Sequence, residues 1–409
     1  MQNQTLQAAF RKVKITPEEP APLQGYDPNV HVAYPEKDIM DNLFARVLVL
    51  DDGEKRHVLV SVDSCLTNEV TFQAADPNGE LWKHRHILQT FPEGTRAKWG
   101  QTAGAAESDV SVHATHTHSA PEHFSEKYTL RIDRAIQEAI EHLQPVRIRA
   151  ASGECSISVN RRPSLQHNDR LPIDNALKII VFETYDGQPV GGVVNCAVHP
   201  TLLMNPLNRV STEFVGLAMN EWEDEVGAGF VSLFIQGFLG DVGPIHHYRT
   251  ETYDTYPWVK KMGHELYLAI TQVSENLQDI AELPLISLEK KVSLPTKHGY
   301  FKPFIDVTLH GVRIGEVLIV SVSAEVFNGY IGLIEPHSQA AFTLFSGVAN
   351  GYSGYLPTPE AFEDGLGGYE MNTTPFKLES CDLFIQSAVE LVQGLDFNTS
   401  SYPAAHFHR

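Results

Sequence analysis

The sequence predicts an α/β fold in which mixed β-sheets are flanked by helices. Short segments rich in β-branched and apolar residues, which are typical of buried strands, alternate with segments whose apolar residues recur every three or four positions. The 409 residues include no stretch rich in glycine, serine or proline that would mark a boundary between domains. We therefore expect one large domain, residues 1–409, with functional loops at the ends of its strands.

Six segments have the composition of strands, namely residues 46–50, 57–62, 146–150, 177–182, 230–235 and 317–322. Two further segments predict helices lying on a sheet. Pro145 ends the first, whose apolar face comprises Tyr128, Ile132, Ile136, Ile140 and Leu143. Gly394 ends the second, which spans residues 375–393 and has an apolar face of Leu378, Cys381, Ile385, Ala388 and Val392.

The composition excludes several classes of partner. The chain carries 31 basic and 51 acidic residues, a formal net charge of −20, which disfavours binding to nucleic acid or to an anionic membrane surface. The N-terminus has no basic segment followed by an apolar stretch, and no apolar run is long enough to cross a bilayer. We expect a cytoplasmic protein that acts on a small-molecule substrate, and the composition is compatible with a homo-oligomer.

The four cysteines are widely spaced and form no Cys-x-x-Cys pair; they are Cys65, Cys155, Cys196 and Cys381. This spacing indicates neither a thiolate zinc site nor a disulfide framework. We expect reduced and mostly buried thiols.

The stretch His113-Ala-Thr-His116-Thr-His118-Ser119 places three imidazoles on one extended segment, where they can converge on a metal ion. It follows residues 109–112, which predict a short buried strand. Because residues i and i+2 of a strand share a face, we expect His116 and His118 to point the same way. Imidazole is the commonest zinc ligand in proteins and titrates near neutrality. The density of histidines favours a site for metal binding or proton transfer over a polar strand end.

Two other segments place polar groups after predicted strands. Residues 193–198 run directly into His199-Pro200, and the proline must end the strand and present the imidazole at the edge of the sheet. Residues 234–236 open into a loop of glycines around Asp241. Such a loop suits either the close approach of backbone N–H groups to a ligand or a tight connection without a ligand.

These motifs resemble the neutral ceramidases, a family of zinc-dependent amidases that cleave N-acyl sphingosine. The resemblance rests on Thr-His-Thr-His-Ser at 115–119, Asn-Cys-Ala-Val-His-Pro-Thr at 195–201, Asn-Arg at 160–161, the Asn-x-Tyr-x-x-Tyr segment at 350–355 and Tyr369-Glu370. The matching pieces follow the order of the family over nearly the whole chain. The resemblance implies the fold of the family's catalytic domain.

The resemblance also implies a set of zinc ligands, which are His116, His199, Glu325 and Tyr355. Two imidazoles and one carboxylate form a common catalytic zinc site, in which zinc-bound hydroxide is available as a nucleophile near neutral pH. A tyrosine ligand binds strongly only if the metal lowers its pKa, so it is a weak or displaceable fourth ligand. Donors of this kind do not distinguish zinc sharply from manganese or iron.

Four residues are candidates for catalysis. His118 is placed to act as an acid or base beside His116. Arg161 is suited to hold a substrate carbonyl oxygen or carboxylate, with a structural ion pair as the alternative, and Tyr369 is suited to donate to an oxyanion. Asp241, in the Gly-Asp element of the glycine loop, completes the set.

The sequence departs from the family where the ceramidases carry a serine regarded as catalytic, since this chain has Gly243 there. Acyl transfer to that position is impossible. His246 and His247 follow and either replace the lost group or lie in a solvated loop, and Glu213 either caps the next helix or meets a polar substrate. The chain ends shortly after its last predicted helix, so we expect no C-terminal immunoglobulin-like domain.

We therefore expect a zinc-dependent hydrolase that uses zinc-bound hydroxide to cleave an amide bond, or an ester or lactone, of a small polar substrate and not of ceramide. The main alternative is a ligand-binding homologue without catalytic activity, which the glycine at position 243 motivates. An amidohydrolase barrel or a metallo-β-lactamase fold is a third interpretation. The spacing of residues 116–121 and the position of the histidine pair well inside the chain disfavour it.

Overall fold

A computed structural model describes residues 5–24, 31–75, 81–87, 89–162, 171–203, 208–246 and 255–397. Within these ranges, the strands are β1 (Gln7–Lys14), β2 (Ala21–Pro22), β3 (Val32–Ala33), β4 (Phe44–Asp51), β5 (Arg56–Val62), β6 (Phe72–Ala75), β7 (Leu81–Ile87), β8 (Val110–Ala114), β9 (Gln144–Pro145), β10 (Arg147–Glu154), β11 (Ser158–Asn160), β12 (Ala176–Glu183), β13 (Pro189–Cys196), β14 (Val231–Gln236), β15 (Val242–Pro244), β16 (Gln278–Ile280), β17 (Leu285–Pro295), β18 (Phe304–Ile314), β19 (Val317–Val322), β20 (Glu325–Val326), β21 (Phe342–Ser346) and β22 (Tyr355–Leu356). The helices are α1 (Pro35–Asp38), α2 (Thr95–Ala103), α3 (Glu126–Ile140), α4 (Glu213–Val226), α5 (Tyr256–Ser274), α6 (Tyr330–Ile334), α7 (Pro359–Glu363), α8 (Tyr369–Thr373) and α9 (Glu379–Phe397). None of these helices combines the length and the apolar character needed to span a bilayer.

Three sheets carry most of the β-structure. The first has the strand order β8-β5-β4-β1-β9, the second β14-β13-β12-β10-β16 and the third β17-β18-β19-β21. Neighbouring strands are mostly antiparallel, but each sheet contains one parallel pair: β5 with β8, β13 with β14, and β19 with β21. The sheets are therefore mixed, and the predicted α/β class is confirmed.

Each sheet packs helices on one face and shares a common core on the other. Helices α2 and α3 cover the first sheet, α4 and α5 the second, and α6 and α9 the third. Strand β4 shows how the sequence specifies this layering: Ala45, Val47 and Val49 face the helices, whereas Leu48 and Leu50 face the core between the sheets. The alternation follows from the two-residue period of a strand.

The predicted elements match the structure except near one helix and at the end of β13, which stops at Cys196 and does not run into His199. All six predicted strand segments fall on β4, β5, β10, β12, β14 and β19. The prediction that the last helix covers residues 375–393 was wrong at both ends, since α9 begins at Glu379 and continues through Gly394. Leu378 precedes the helix and is 40% exposed. An added Cβ at Gly394 would contact the Leu288 side chain at 3.4 Å, so this glycine lies against β17 and does not end the helix.

The parallel pairs position the loops that carry the predicted site. Strands of a parallel pair end at the same edge of their sheet, and α/β proteins gather ligands at the carboxyl ends of such strands. His116 follows β8, His199 follows β13 and Glu325 follows β19. Each of the three sheets thus contributes one candidate ligand.

Candidate metal centre

The side chains of His116, His199 and Glu325 meet at one buried point. Glu325 Oε2 lies 3.1 Å from His199 Nε2 and 3.6 Å from His116 Nε2. Each residue offers one ligand atom, and the three atoms lie within 4.8 Å of one another. All three residues are almost completely buried. The structure therefore brings together three of the four residues that the resemblance assigned to zinc.

Both imidazoles are held with one nitrogen turned towards this point. His116 Nδ1 lies 2.6 Å from the Cys65 carbonyl oxygen, and His199 Nδ1 lies 2.8 Å from the Val242 carbonyl oxygen. A carbonyl oxygen only accepts hydrogen bonds, so each Nδ1 carries a proton, and each ring in its neutral form has its lone pair on Nε2. Backbone carbonyls orient metal-binding histidines in this way.

Glu325 is oriented by a tyrosine that the sequence did not single out. The Tyr352 hydroxyl donates to Glu325 Oε1 over 2.8 Å, which leaves Oε2 to face the imidazoles. The three candidate ligands share one pattern. Each follows one strand of a parallel pair, and its side chain is hydrogen-bonded to a residue that comes after the other strand of that pair. Cys65 follows β5, Val242 lies beyond the loop after β14, and Tyr352 follows β21.

The charges at this point favour a cation. Burial lowers the pKa of His116, but Cys65 and Glu325 raise it to about 10. Burial raises the pKa of Glu325, but His116 and His199 outweigh burial and hold it well below its usual value. Burial lowers the pKa of His199 to about 3. Without a metal, a proton therefore balances the Glu325 carboxylate, and a divalent cation held by the same three groups would replace it. The donor set fits zinc.

No protein-family model matches the sequence. Two curated relatives are a neutral ceramidase from Pseudomonas aeruginosa, 31% identical over 228 residues that cover 49% of this chain and 32% of the relative, and neutral ceramidase A from Dictyostelium discoideum, 28% identical over 236 residues that cover 49% and 30%. The chain thus spans about a third of the length of these relatives.

Two solved structures share the fold over the full length of this chain. A crystal structure of the neutral ceramidase from Pseudomonas aeruginosa superposes with a TM-score of 0.77 at 19% identity, covering 100% of this chain and 77% of that chain. A structure of a ceramidase complexed with C2 superposes with a TM-score of 0.76 at 18% identity, covering 100% and 78%. The chain therefore has the fold of these ceramidases, and about half of it is similar in sequence to curated neutral ceramidases. This fold is neither an amidohydrolase barrel nor a metallo-β-lactamase fold.

The histidine motif of this ceramidase-like domain is not one extended strand. Strand β8 ends at Ala114, and His116 adopts a left-handed backbone conformation with φ of 69°. His118 Nε2 nevertheless lies 3.4 Å from His116 Nε2, so the two rings meet through a turn and not through strand alternation. His113 points away and binds Ser346 Oγ over 2.8 Å. The expectation that three imidazoles of this segment converge was wrong for His113.

His118 lies beside the candidate ligands as a neutral ring. Burial and the neighbouring imidazoles of His116 and His199 hold the pKa of His118 well below its usual value. Cys65 also lies close enough to form a second group of possible donors with His116 and His118. Burial raises the pKa of the Cys65 thiol, so at neutral pH it is a weaker donor than the imidazoles. The acid or base role of His118 stays a prediction.

Tyr355 and Arg161 are hydrogen-bonded to each other, and Tyr355 lies on the strand next to Glu325. The parallel pairing of β20 with β22 sets Tyr355 opposite Glu325, and Arg161 Nη2 donates to the Tyr355 hydroxyl over 3.1 Å. Burial and the Glu325 carboxylate raise the pKa of Tyr355 well above its usual value. Tyr355 is therefore protonated without a metal, and its role as a fourth ligand stays a prediction.

Arg161 also makes the ion pair that the sequence allowed as an alternative to substrate binding. Its Nε lies 2.6 Å from Glu370 Oε1, and its Nη2 donates to the Gly240 carbonyl oxygen over 3.2 Å. Tyr369, the neighbour of Glu370, is 52% exposed, and its ring lies 5.9 Å from the Tyr355 ring. Tyr369 thus sits at the outer rim of the site, where its predicted role as an oxyanion donor remains to be tested.

Asp241 holds backbone and side-chain groups of the loops around the site. Its Oδ1 accepts from the Asn328 N–H over 2.7 Å and its Oδ2 accepts from Asn160 Nδ2 over 2.9 Å. Burial raises the pKa of Asp241. These contacts favour a positioning role for Asp241, and its predicted catalytic role stays untested.

The glycines of the loop around Asp241 serve close packing of backbone segments. An added Cβ at Gly240 would lie 2.6 Å from the Glu325 backbone oxygen, and one at Gly237 would lie 2.6 Å from the Ala197 backbone nitrogen. Side chains at either position would displace the strand ends that carry His199 and Glu325. The tight connection without a ligand is therefore the interpretation that the packing favours.

Gly243 has room for a side chain. The nearest atoms to an added Cβ are those of Arg161 at 3.5 Å, an ordinary van der Waals distance. The absence of a side chain at this position is therefore not imposed by packing. His246 lies away from this position and contacts Glu265 through Nε2 at 3.1 Å, and His247 lies outside the described residues.

Glu213 anchors the segment that follows His199. It is the first residue of α4 and is fully buried, and its Oε1 accepts from the Leu203 N–H over 2.6 Å. Burial raises the pKa of Glu213 to about 8. Glu213 therefore fastens the loop from His199 to Leu203 to the start of α4.

Proposed function

We propose that this ceramidase-like domain is a zinc-dependent hydrolase that cleaves an amide bond, or an ester or lactone, of a small polar substrate other than ceramide. The convergence of His116 Nε2, His199 Nε2 and Glu325 Oε2 at the ends of three sheets supports the proposal. When bound there, zinc would polarise a substrate carbonyl and lower the pKa of a water molecule.

The chain's own residues supply orientation and hydrogen bonds. His118, neutral and adjacent to His116, is placed to hydrogen-bond the attacking water or the leaving group. Arg161 Nη2 and the Tyr355 hydroxyl, which are 3.1 Å apart, are suited to hold the carbonyl oxygen as negative charge develops on it.

Gly243 supports direct attack by water. The position offers no hydroxyl, so no acyl group can be transferred to it, and the water held near His118 remains as the nucleophile.

Zinc stoichiometry measured by atomic absorption tests the proposal. We expect about one zinc per chain, lost in His116→Ala and in His199→Ala. His264→Ala, which removes an exposed histidine whose Nδ1 contacts Glu221 at 2.7 Å on the surface, should retain the zinc. A fully folded protein without metal after incubation with zinc would contradict the proposal.

Turnover of a substrate panel separates hydrolysis from ligand binding alone. Short and long N-acyl amines, N-acyl amino acids and lactones should be compared, with and without a chelator. We expect hydrolysis of a small N-acyl compound that the chelator abolishes. Stoichiometric zinc without turnover of any member would favour the non-catalytic homologue.

A further inference from the structure

An aromatic cavity of about 590 Å³ lies beside the candidate metal centre. Its walls carry five aromatic rings, which are those of Phe72, Tyr300, Phe301, Phe304 and Tyr352. The volume falls within the range of small-molecule sites. None of these five residues is among the predicted site residues.

Tyr352 connects this aromatic cavity to the metal centre. Its hydroxyl donates to Glu325 Oε1 over 2.8 Å, while the residue also lines the cavity. Phe72 packs edge-on against the Tyr352 ring, with centroids 5.0 Å apart and an interplanar angle of 78°. A group bound in the cavity would therefore lie within one side chain of a candidate zinc ligand.

The cavity exposes apolar surface that folding alone does not explain. Phe304 is 55% exposed and Phe301 is 36% exposed, and the Phe301 ring lies 4.7 Å from the Tyr300 ring. Large apolar groups gathered at one open site mark a surface that a ligand covers. Aromatic rings also prefer other rings, which they contact edge-to-face or in offset stacks.

We infer that the aromatic cavity binds an aryl group of the substrate while the metal centre holds the scissile carbonyl. That the bound molecule is a substrate rests on the proposed function. The cavity itself exists whether or not the chain hydrolyses a bond. The substrate class is a small N-acyl compound whose polar amide is joined by a short linker to one aromatic ring.

Binding of 4-phenylbutyrate, a product-like aryl acid, tests the inference by isothermal titration of the full chain. Octanoate provides an alkyl acid of similar apolar size. We expect the aryl acid to bind about three- to tenfold more tightly than octanoate, as favourable ring contacts predict. Phe304→Ala should weaken binding of the aryl acid by a similar factor, and truncation of this exposed ring does not threaten the core.

Tyr185→Ala is the matched control, because it removes another exposed ring that is 61% exposed and absent from the cavity walls. It should leave the affinity for both acids unchanged. Equal binding of the two acids, undiminished binding by Phe304→Ala, or no binding of the aryl acid would each overturn the inference.

The two proposals fail separately. Failure of the proposed function would leave a chain that binds the aryl acid through Phe304 but hydrolyses no substrate. Failure of the inference would leave a chain that hydrolyses N-acetyl and N-phenylacetyl compounds with equal kcat/KM, and that is unaffected by Phe304→Ala.

Discussion

At the level of single residues, the Glu325 carboxylate has one oxygen bound by the Tyr352 hydroxyl and the other facing His116 and His199. A carboxylate that is fixed on one side presents a single ligand atom in a constant direction. Groups that orient metal ligands in this way commonly affect metal affinity without touching the metal. Tyr352 is therefore a positioning residue of the candidate centre.

Tyr352→Phe should lower zinc affinity about 10- to 100-fold, because it removes the hydroxyl that orients Glu325 and keeps the ring. Competition titration against a chromophoric chelator measures the change. Tyr330→Phe is the matched control: its buried hydroxyl donates to the Pro357 carbonyl oxygen over 2.7 Å, away from the metal centre. Both variants should lose about 1 kcal/mol of stability, but only Tyr352→Phe should lose zinc affinity. Equal affinities would refute the positioning role.

The sequence predicted His116 and His199 because each stands in a distinctive motif after a recognisable strand. It did not predict Tyr352, which lies three residues from Tyr355. Both tyrosines belong to the same motif, and only the path of the chain after β21 decides which hydroxyl reaches Glu325. The left-handed backbone conformation of His116 could not be predicted either, because no sequence pattern around this histidine indicates a positive φ.

At the level of elements, Glu213 links the start of α4 to the segment after β13. Its pKa of about 8 lies above the usual value near 4.5 because of burial. The proton on Glu213 therefore stabilises the folded state fully below about pH 4.5, and that contribution is lost as the pH rises through about 8.

As the pH rises from 5 to 8, Glu213→Gln should lose less unfolding free energy than the wild-type protein. The wild-type carboxyl contributes up to about 1.4 kcal/mol per pH unit in this window, and the amide contributes no titration. Urea unfolding at several pH values measures the slope. Glu19→Gln on the exposed surface should keep the wild-type slope, and an unchanged slope in Glu213→Gln would refute the role of burial.

Three buried histidines connect the first and third sheets. His57 on β5 and His310 on β18 stack with ring centroids 5.6 Å apart, and His113 on β8 is buried close by. Burial lowers the pKa of His310 to about 4 and that of His113 to about 3. Neutral rings thus contribute stability that is present above about pH 6.5 and lost as the pH falls through these lowered values.

His310→Gln should make the domain less sensitive to acid. As the pH falls from 6.5 to 5, the variant should lose about 2 kcal/mol less stability than the wild type, because it has no imidazole to protonate. Its amide can still donate to the Ser108 carbonyl oxygen, which His310 Nε2 contacts at 2.9 Å. Thermal unfolding at both pH values measures the difference. His264→Gln, on the surface, is the control; an identical acid response in the two variants would contradict the account.

Element types were predictable where local composition decides them. Strands such as β5 and β19 are rich in β-branched and apolar residues, and α3 has a regular apolar face. The parallel pairs could not be predicted, because the pairing of β5 with β8 or of β19 with β21 depends on contacts between distant segments. The end of α9 was mispredicted because a glycine after an apolar face commonly ends a helix, whereas Gly394 lies inside α9 and packs against β17.

For the whole molecule, the candidate centre joins three sheets that also share an apolar core. His116, His199 and Glu325 each follow a strand of a different one of these sheets, so a bound zinc would link all three. A ligand that binds only the folded state stabilises it by mass action, about 2.7 kcal/mol at 100 times its Kd.

Zinc should therefore raise the melting temperature of the entire chain in one cooperative transition. Differential scanning calorimetry with zinc, and then with a chelator, measures the shift. His199→Ala should show no response to zinc. A shift confined to one partial transition would indicate that the metal binds elsewhere or links only one sheet.

The most direct test of the central claim is an anomalous-difference map from crystals grown with zinc and measured on both sides of the zinc absorption edge. We expect one strong peak between His116 Nε2, His199 Nε2 and Glu325 Oε2. Zinc-saturated crystals that show no peak there, or a peak only at other residues, would contradict it.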